Sequence, residues 1–239
     1  MKYYLKSMLR PYVKGPVLEL FNHARGLTNA TLTHEAIAAL IGKPDPVILE
    51  IGCNDGTDTL ALLRAMPQAA IYCFEPDARA IARFKKLLGS NLEKVRLFEV
   101  AVSDRTGQIK FHSSGGGDRS EGWDLSGSIR RPKNHLKEYA WIKFEKTVDV
   151  NTCRLDDWCA ANGVDHVDFI WMDVQGAEGD VIAGAPKILQ KTRFLYTEYS
   201  NYELYEGQLP LKPLLALLPS FEVVTRYPGD VLLRNRHAA

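Results

Sequence analysis

Three apolar runs in this chain each finish on a carboxylate: VILEIGCNDGTD (Val47 to Asp58), AIYCFEP (Ala70 to Pro76) and VDFIWMDV (Val167 to Val174). Placing Glu50, Glu75 and Asp173 at the ends of buried strands is costly unless each meets hydrogen-bond donors or a positively charged group. The first run continues into a turn, Gly52-Cys53-Asn54-Asp55-Gly56. Gly52 stands where the backbone must bend sharply and Gly56 where the following helix must approach closely.

This turn departs from the dinucleotide fingerprint Gly-x-Gly-x-x-Gly, because its spacing is Gly-x-x-x-Gly and Glu50 and Asp55 flank it. Acids beside a pyrophosphate cost Coulomb energy, so a cationic ligand suits the turn better. Glu75, with Pro76 after it, ends the next strand. In an open parallel sheet, an acid there accepts hydrogen bonds from ribose hydroxyls. A ribose without phosphates and a positive centre near carboxylates together describe S-adenosylmethionine. The plain alternative makes Gly52 and Gly56 ordinary turn residues and Glu50 and Glu75 ordinary strand ends; their joint spacing favours the ligand.

Methyl transfer from a sulfonium is an in-line displacement that needs alignment and, for an alcohol acceptor, a general base. Candidate bases are Asp173, Glu178, Glu198 and the histidines, with Asp173 leading because its strand end faces the crevice where ligands bind. Glu178 also suits a purely electrostatic part at a helix start. Glu198, followed by Tyr199, Asn201 and Tyr202, suits acceptor binding. His112, His135 and His166 lie in loops without metal-ligand spacing. A divalent cation held by Asp173, Glu198 and another acid is compatible with oxygen ligands, but nothing in the spacing demands one.

The elements that must position these groups alternate. Thr33 to Gly42 reads as a helix, Val47 to Ile51 as a strand, Thr57 to Met66 as a helix and Ala70 to Pro76 as a strand. Asp77 to Asn91 then reads as a helix and Val95 to Val102 as a strand. After Gln108 to His112 and Trp141 to Val150, both extended, come the helix Cys153 to Gly163, the strand Val167 to Val174, the helical AEGDVIAGAPKILQ and the strand Phe194 to Ser200. FEVVTRY, a Pro-Gly-Asp turn and VLLRN close the chain as an antiparallel hairpin. The expected fold is an α/β, Rossmann-like sandwich with a mostly parallel sheet. Residues 1–46 form an expected N-terminal helical extension, and residues 47–239 the main domain.

An insertion at about 113–140 interrupts the alternation with SSGGGDRSEGWDLSGSI. Long loops of this kind are often lids or binding loops, and Trp123, Asp124, Ser126 and Ser128 are placed to cover a sugar-like acceptor.

The 239 residues, 46% of them hydrophobic, suit one well-cored domain. Thirty basic and 29 acidic side chains leave a formal charge of +1, which argues against nucleic acid as partner. Cys53, Cys73, Cys153 and Cys159 contain no Cys-x-x-Cys pair, so a reducing compartment is expected. Lys6, Arg10, Pro11 and Lys14 break the N-terminal apolar runs, which fits neither a signal peptide nor a membrane span, and the expected address is the cytoplasm.

VILEIGCNDGTDTL, IYCFEPDARA, VAVSDRTGQIKF, RLDDW and FIWMDVQGAEGDVIAGAPKIL together resemble the FkbM-type S-adenosylmethionine-dependent methyltransferases, from about Val47 to about Thr197. The resemblance implies that the turn of Glu50, Gly52, Asn54, Asp55 and Gly56 holds the methionine portion, Glu75 and Pro76 the ribose, and Ala101, Val102 and Ser103 the adenine region. It places Asp173 beside the methyl donor and carries over Gly176 and Glu178. Gln175 stands where the family often has Glu, and Trp171-Met172 where Lys and Ile are usual. The implied reaction is O-methylation of a hydroxyl on a sugar, glycan or natural product. The alternatives are a catalytically silent S-adenosylmethionine-binding module and an N-methyltransferase. An amide or nucleobase N-methyltransferase motif of the Asn/Asp-Pro-Pro-Tyr/Phe type is absent from the sequence.

Overall fold

The structure is a computed structural model that describes residues 26, 28, 31–116 and 123–238. Most of the expected N-terminal extension therefore lies outside the described residues. Within it, α1 (His34–Ile41) starts on Thr33, whose hydroxyl accepts from the Ala36 amide, and stops at Gly42 in the left-handed region. Ile37 and Ile41 are buried in the same cluster as Ile48, Leu62, Ile71 and Phe169. This helix thus shares the main core.

Among the described residues, seven strands form one sheet in the order β3-β2-β1-β7-β8-β10-β9. β1 (Val47–Ile51), β2 (Ala70–Phe74), β3 (Val95–Phe98), β7 (Val167–Met172) and β8 (Thr192–Glu198) run parallel. β10 (Asp230–Asn235) inserts antiparallel between β8 and β9 (Phe221–Tyr227). β7 is buried at every position, and four of the five β1 residues are buried, as expected for central strands covered on both faces. The chain leaves β1 toward β2 on one side and returns through β7 on the other, so the switch point lies between β1 and β7. That is where Gly52 and Asp173 emerge.

α2 (Thr57–Ala65) and α3 (Ala78–Leu88) follow β1 and β2. Ala80, Ile81, Phe84 and Leu88 give α3 a single buried stripe. The expected strand Val95 to Val102 divides in two: β3 stays in the main sheet, while β4 (Ala101–Val102) pairs with β6 (Ile142–Cys153) in a second sheet, order β4-β6-β5. β5 (Gly107–Gly116) and β6 extend beyond their expected limits because they pair with each other along most of their length. The expected helix over residues 177–190 also divides, into α6 (Glu178–Ala183) and α7 (Pro186–Gln190). Pro186 lacks the amide needed to continue the first helix. A Cβ on Gly184 would stand 2.0 Å from the Ser103 carbonyl oxygen, so the end of α6 meets the chain just after β4 at a position only glycine fills without displacement.

Two short helices, α4 (His135–Glu138) and α8 (Leu211–Ala216), were not anticipated. α5 (Leu155–Asn162) contains the Leu-Asp-Asp-Trp motif. Its Asp156 accepts hydrogen bonds from the Lys187 and Ile188 amides, which caps α7.

Candidate active site

The expected donor half is the turn after β1. Gly52 (φ +83°) donates from its amide to the Phe74 carbonyl at 2.9 Å, tying the turn to β2. A Cβ on Gly52 would lie 2.0 Å from the Asp173 carbonyl oxygen. Gly56 (φ +80°) starts α2, and a Cβ there would collide with Leu88 and Phe84 of α3 at 2.6 and 2.7 Å. Both glycines are therefore required by close approach and by backbone conformation. Asp55 Oδ1 accepts from the amide and hydroxyl of Thr57, capping α2.

Glu50 is fully buried; Oε2 accepts from the Thr59 hydroxyl, and the Cys73 thiol lies 3.9 Å away. Glu75 accepts from the Asn54 amide at 2.9 Å and from the Asp77 amide at 2.8 Å. Burial raises its pKa to about 7, partly offset by these two amides and reinforced by the negative charges of Asp77 and Asp124. Asn54 adopts φ +47°, and its side-chain Oδ1 is buried without a hydrogen-bond donor. Pro76 leads into α3, whose cap is Asp77, bonded to the amide and guanidinium of Arg79. Ala101 and Val102 are buried in the second sheet. The Ser103 hydroxyl is engaged with Thr152 and the Arg105 backbone, so its polar contacts belong to that sheet.

The expected acceptor residues lie one and two strands away. Asp173 follows β7, its amide bonded to the Ile51 carbonyl at 3.0 Å. Glu198 ends β8. Between them stands Gln175, whose Nε2 donates to Asp173 Oδ1 at 2.7 Å and to Glu198 Oε2 at 2.9 Å. The Tyr205 hydroxyl lies 3.2 Å from Gln175 Oε1 and 2.8 Å from the Ser126 carbonyl. Its burial raises the phenol pKa well above the ordinary value, and the charges of Glu198, Asp173 and Glu178 act in the same direction, so it remains a donor. Glu178 is buried at the start of α6 and accepts from the Gly176 amide. Burial foremost, and Asp173 further, raise its pKa to about 7.

The described part of the insertion spans both halves. Asp124 is buried and paired with Arg83 of α3, on the donor side. Ser126 and Ser128 are buried, and Trp123 packs edge-on against Trp141 and reaches Ser126 through its indole N–H. Arg130 forms two 2.7 Å bonds to Asp180 of α6. His135 is buried against Tyr139, Phe144 and Tyr205, and burial lowers its pKa to about 4. His112 bonds Thr147 and His166 bonds Asp165, both toward the surface.

The sequence reading thus named Asp173, Glu178 and Glu198 but gave no role to Gln175, Tyr205, Arg83 or Arg130. A signal for Gln175 was available: a non-glycine residue just before Gly176 in a tight strand-to-helix turn. It adopts φ +53°, rare for such a side chain. Among the described residues, no group of three or more His, Cys, Asp or Glu side chains is arranged to hold a metal ion. No described helix is long and apolar enough to cross a membrane.

A glycine turn and strand-end acids at the switch point of such a sheet define a Rossmann-like methyltransferase. The methyltransferase FkbM domain matches residues 50–231, and the chain belongs to that family. It is 55% identical to the 2-O-methyltransferase NoeI of Sinorhizobium fredii, over 97% of each chain. It is also 28% identical to the AMB antimetabolite synthetase AmbE of Pseudomonas aeruginosa over 61% of this chain, a stretch making up 8% of that protein. The crystal structure of methyltransferase FkbM from Methylobacillus flagellatus KT shares the fold, with TM-score 0.51 and 12% identity across 80% of this chain and 44% of that one.

Proposed function

We propose that this methyltransferase moves the methyl group of S-adenosylmethionine to a hydroxyl of a sugar or glycan, with Asp173 as general base. The observation that carries the reading is the packing of Gly52 on Asp173, which brings the donor turn and the acceptor carboxylates together at one switch point. The similarity to a 2-O-methyltransferase over nearly the whole chain supports oxygen as the methyl acceptor.

The residues present suit this donor. The orphaned Asn54 Oδ1 is an acceptor for the α-ammonium of the methionine portion. Glu75, already oriented by two amides, has lone pairs suited to the ribose hydroxyls. Glu50 and Asp55 give the turn a negative character that suits a sulfonium and an ammonium and disfavours a pyrophosphate. Gly52 and Gly56 keep the turn tight, and Pro76, Ala101, Val102 and Ser103 complete the proposed donor set. S-adenosylmethionine, when bound, supplies an electrophilic methyl group on a positively charged sulfur.

The chain's own part is alignment and proton removal. Asp173 would accept the proton of the acceptor hydroxyl as that oxygen takes up the methyl group that S-adenosylmethionine would supply. Glu198 binds the acceptor, and Glu178 holds the turn through Gly176 and adds to the local negative potential. Trp123 offers the insertion an aromatic surface for a sugar ring. Mass-spectrometric detection of methyl transfer to a panel of hydroxylated sugars tests the proposal. Donor binding without any methylated product would favour a silent module, and product on amines alone would favour N-methylation.

A further inference from the structure

Gln175 makes three polar contacts through one side chain. Its amide nitrogen donates to Asp173 at 2.7 Å and to Glu198 at 2.9 Å, and its amide oxygen faces the Tyr205 hydroxyl at 3.2 Å. The opposite amide orientation would set an oxygen against two carboxylates, so the network fixes which end is which. The backbone is held at φ +53°, a conformation costing about 1 kcal/mol or more for a side chain with a Cβ. Local geometry does not explain why glycine is not used here, as it is at the next position.

We propose that Gln175 is the positioning residue of the acceptor half, joining Asp173 and Glu198 into one unit through a single neutral amide. Two carboxylates on neighbouring strands repel each other, and a shared –NH₂ offsets that repulsion while setting the rotation of both groups. Tyr205 holds the amide from behind and connects it to Ser126, so the insertion and the proposed base belong to one hydrogen-bond chain. The other ionisable groups interacting with this chain are Glu178, electrostatically with Asp173, and Tyr139 and Tyr196, electrostatically with Glu198. The inference rests on the proposed role of Asp173 and adds to it a residue that never touches the methyl group.

The test compares three full-length variants. Gln175→Gly removes the amide and its three contacts, so a merely structural role predicts a lowered thermal midpoint with an undiminished rate for the folded enzyme. Positioning predicts instead a kcat lowered about 10- to 100-fold, with S-adenosylhomocysteine affinity within twofold of the parent. Gln175→Glu replaces the bridging donor with a third carboxylate, and the acid limb of its kcat/KM profile moves upward by about one pH unit or more. Asp173→Asn separates the two levels of the argument. If it retains full activity, the reading of Asp173 as base fails. If it is inactive while Gln175→Gly turns over at the parental rate, the positioning inference alone is overturned.

Discussion

Gly52 and Asp173 are packed so closely that a methyl group added to the glycine would stand 2.0 Å from the aspartate carbonyl oxygen. They lie 121 positions apart in sequence, yet this contact fixes the proposed donor turn against the proposed acceptor strand end. A change at Gly52 therefore reaches both halves of the site. Gly52→Ala is expected to destabilise the fold by roughly 2–5 kcal/mol, the sum of left-handed strain and overpacking. Chemical denaturation checks the stability, and calorimetry with S-adenosylhomocysteine the accompanying loss of donor affinity.

The proposed ribose contact of Glu75 predicts that donor binding depends on pH. In the free protein its pKa stands at about 7, whereas ribose hydroxyls donate best to the ionised carboxylate. Binding should then release a proton, and affinity for S-adenosylhomocysteine should rise as pH increases through about 7 and level off above it. Calorimetry in buffers of different ionisation enthalpy reads the proton directly. Glu75→Gln should remove the pH dependence and weaken binding by ~1.5–3 kcal/mol.

The same burial affects the stability of the free chain. Glu75 and Glu178 are raised from 4.5 to about 7, so between those values the folded state holds protons that the unfolded state has released. The stability these protonated groups retain is fully present below pH 4.5 and is lost as pH rises through about 7. Glu178→Gln should flatten this fall, which urea midpoints from pH 5 to 8 would detect. A midpoint trend identical to the parent would contradict the assignment of Glu178 as a buried titrating group.

Asp173→Asn should lower kcat by about 10²- to 10⁴-fold, the range for loss of a general base. Glu198→Gln should act mainly on the acceptor KM, because its proposed contact is with the acceptor. Steady-state kinetics with a methylated-product readout separates the two.

Asp156 supplies a contrast. It caps α7 through the Lys187 and Ile188 amides, far from any proposed chemistry in role. Asp156→Ala should cost ~0.5–2 kcal/mol of stability and leave kcat near the parental value. Its place in a family motif thus has a structural explanation.

The alternation of apolar strands with amphipathic helices determined the α/β class, because periodicity is a local property and each element carries its own. β1 and the hairpin were legible for that reason, as were the caps Thr33 and Gly42 of α1. Glu50, Glu75 and Asp173 could be picked out because an acid closing an apolar run contradicts its surroundings. The division of residues 95–102 between two sheets was not legible: β4 pairs with β6, about 50 positions later in the chain, and no local pattern records that choice. Nor was the bridge through Gln175, since hydrogen bonds among Asp173, Glu198 and Tyr205 exist only after β7, β8 and the loop beyond them have packed. The sequence by itself determined which chemical groups end which strands. Only the tertiary structure decided which of them meet, because hydrogen-bond geometry is set by side chains brought together from distant parts of the chain.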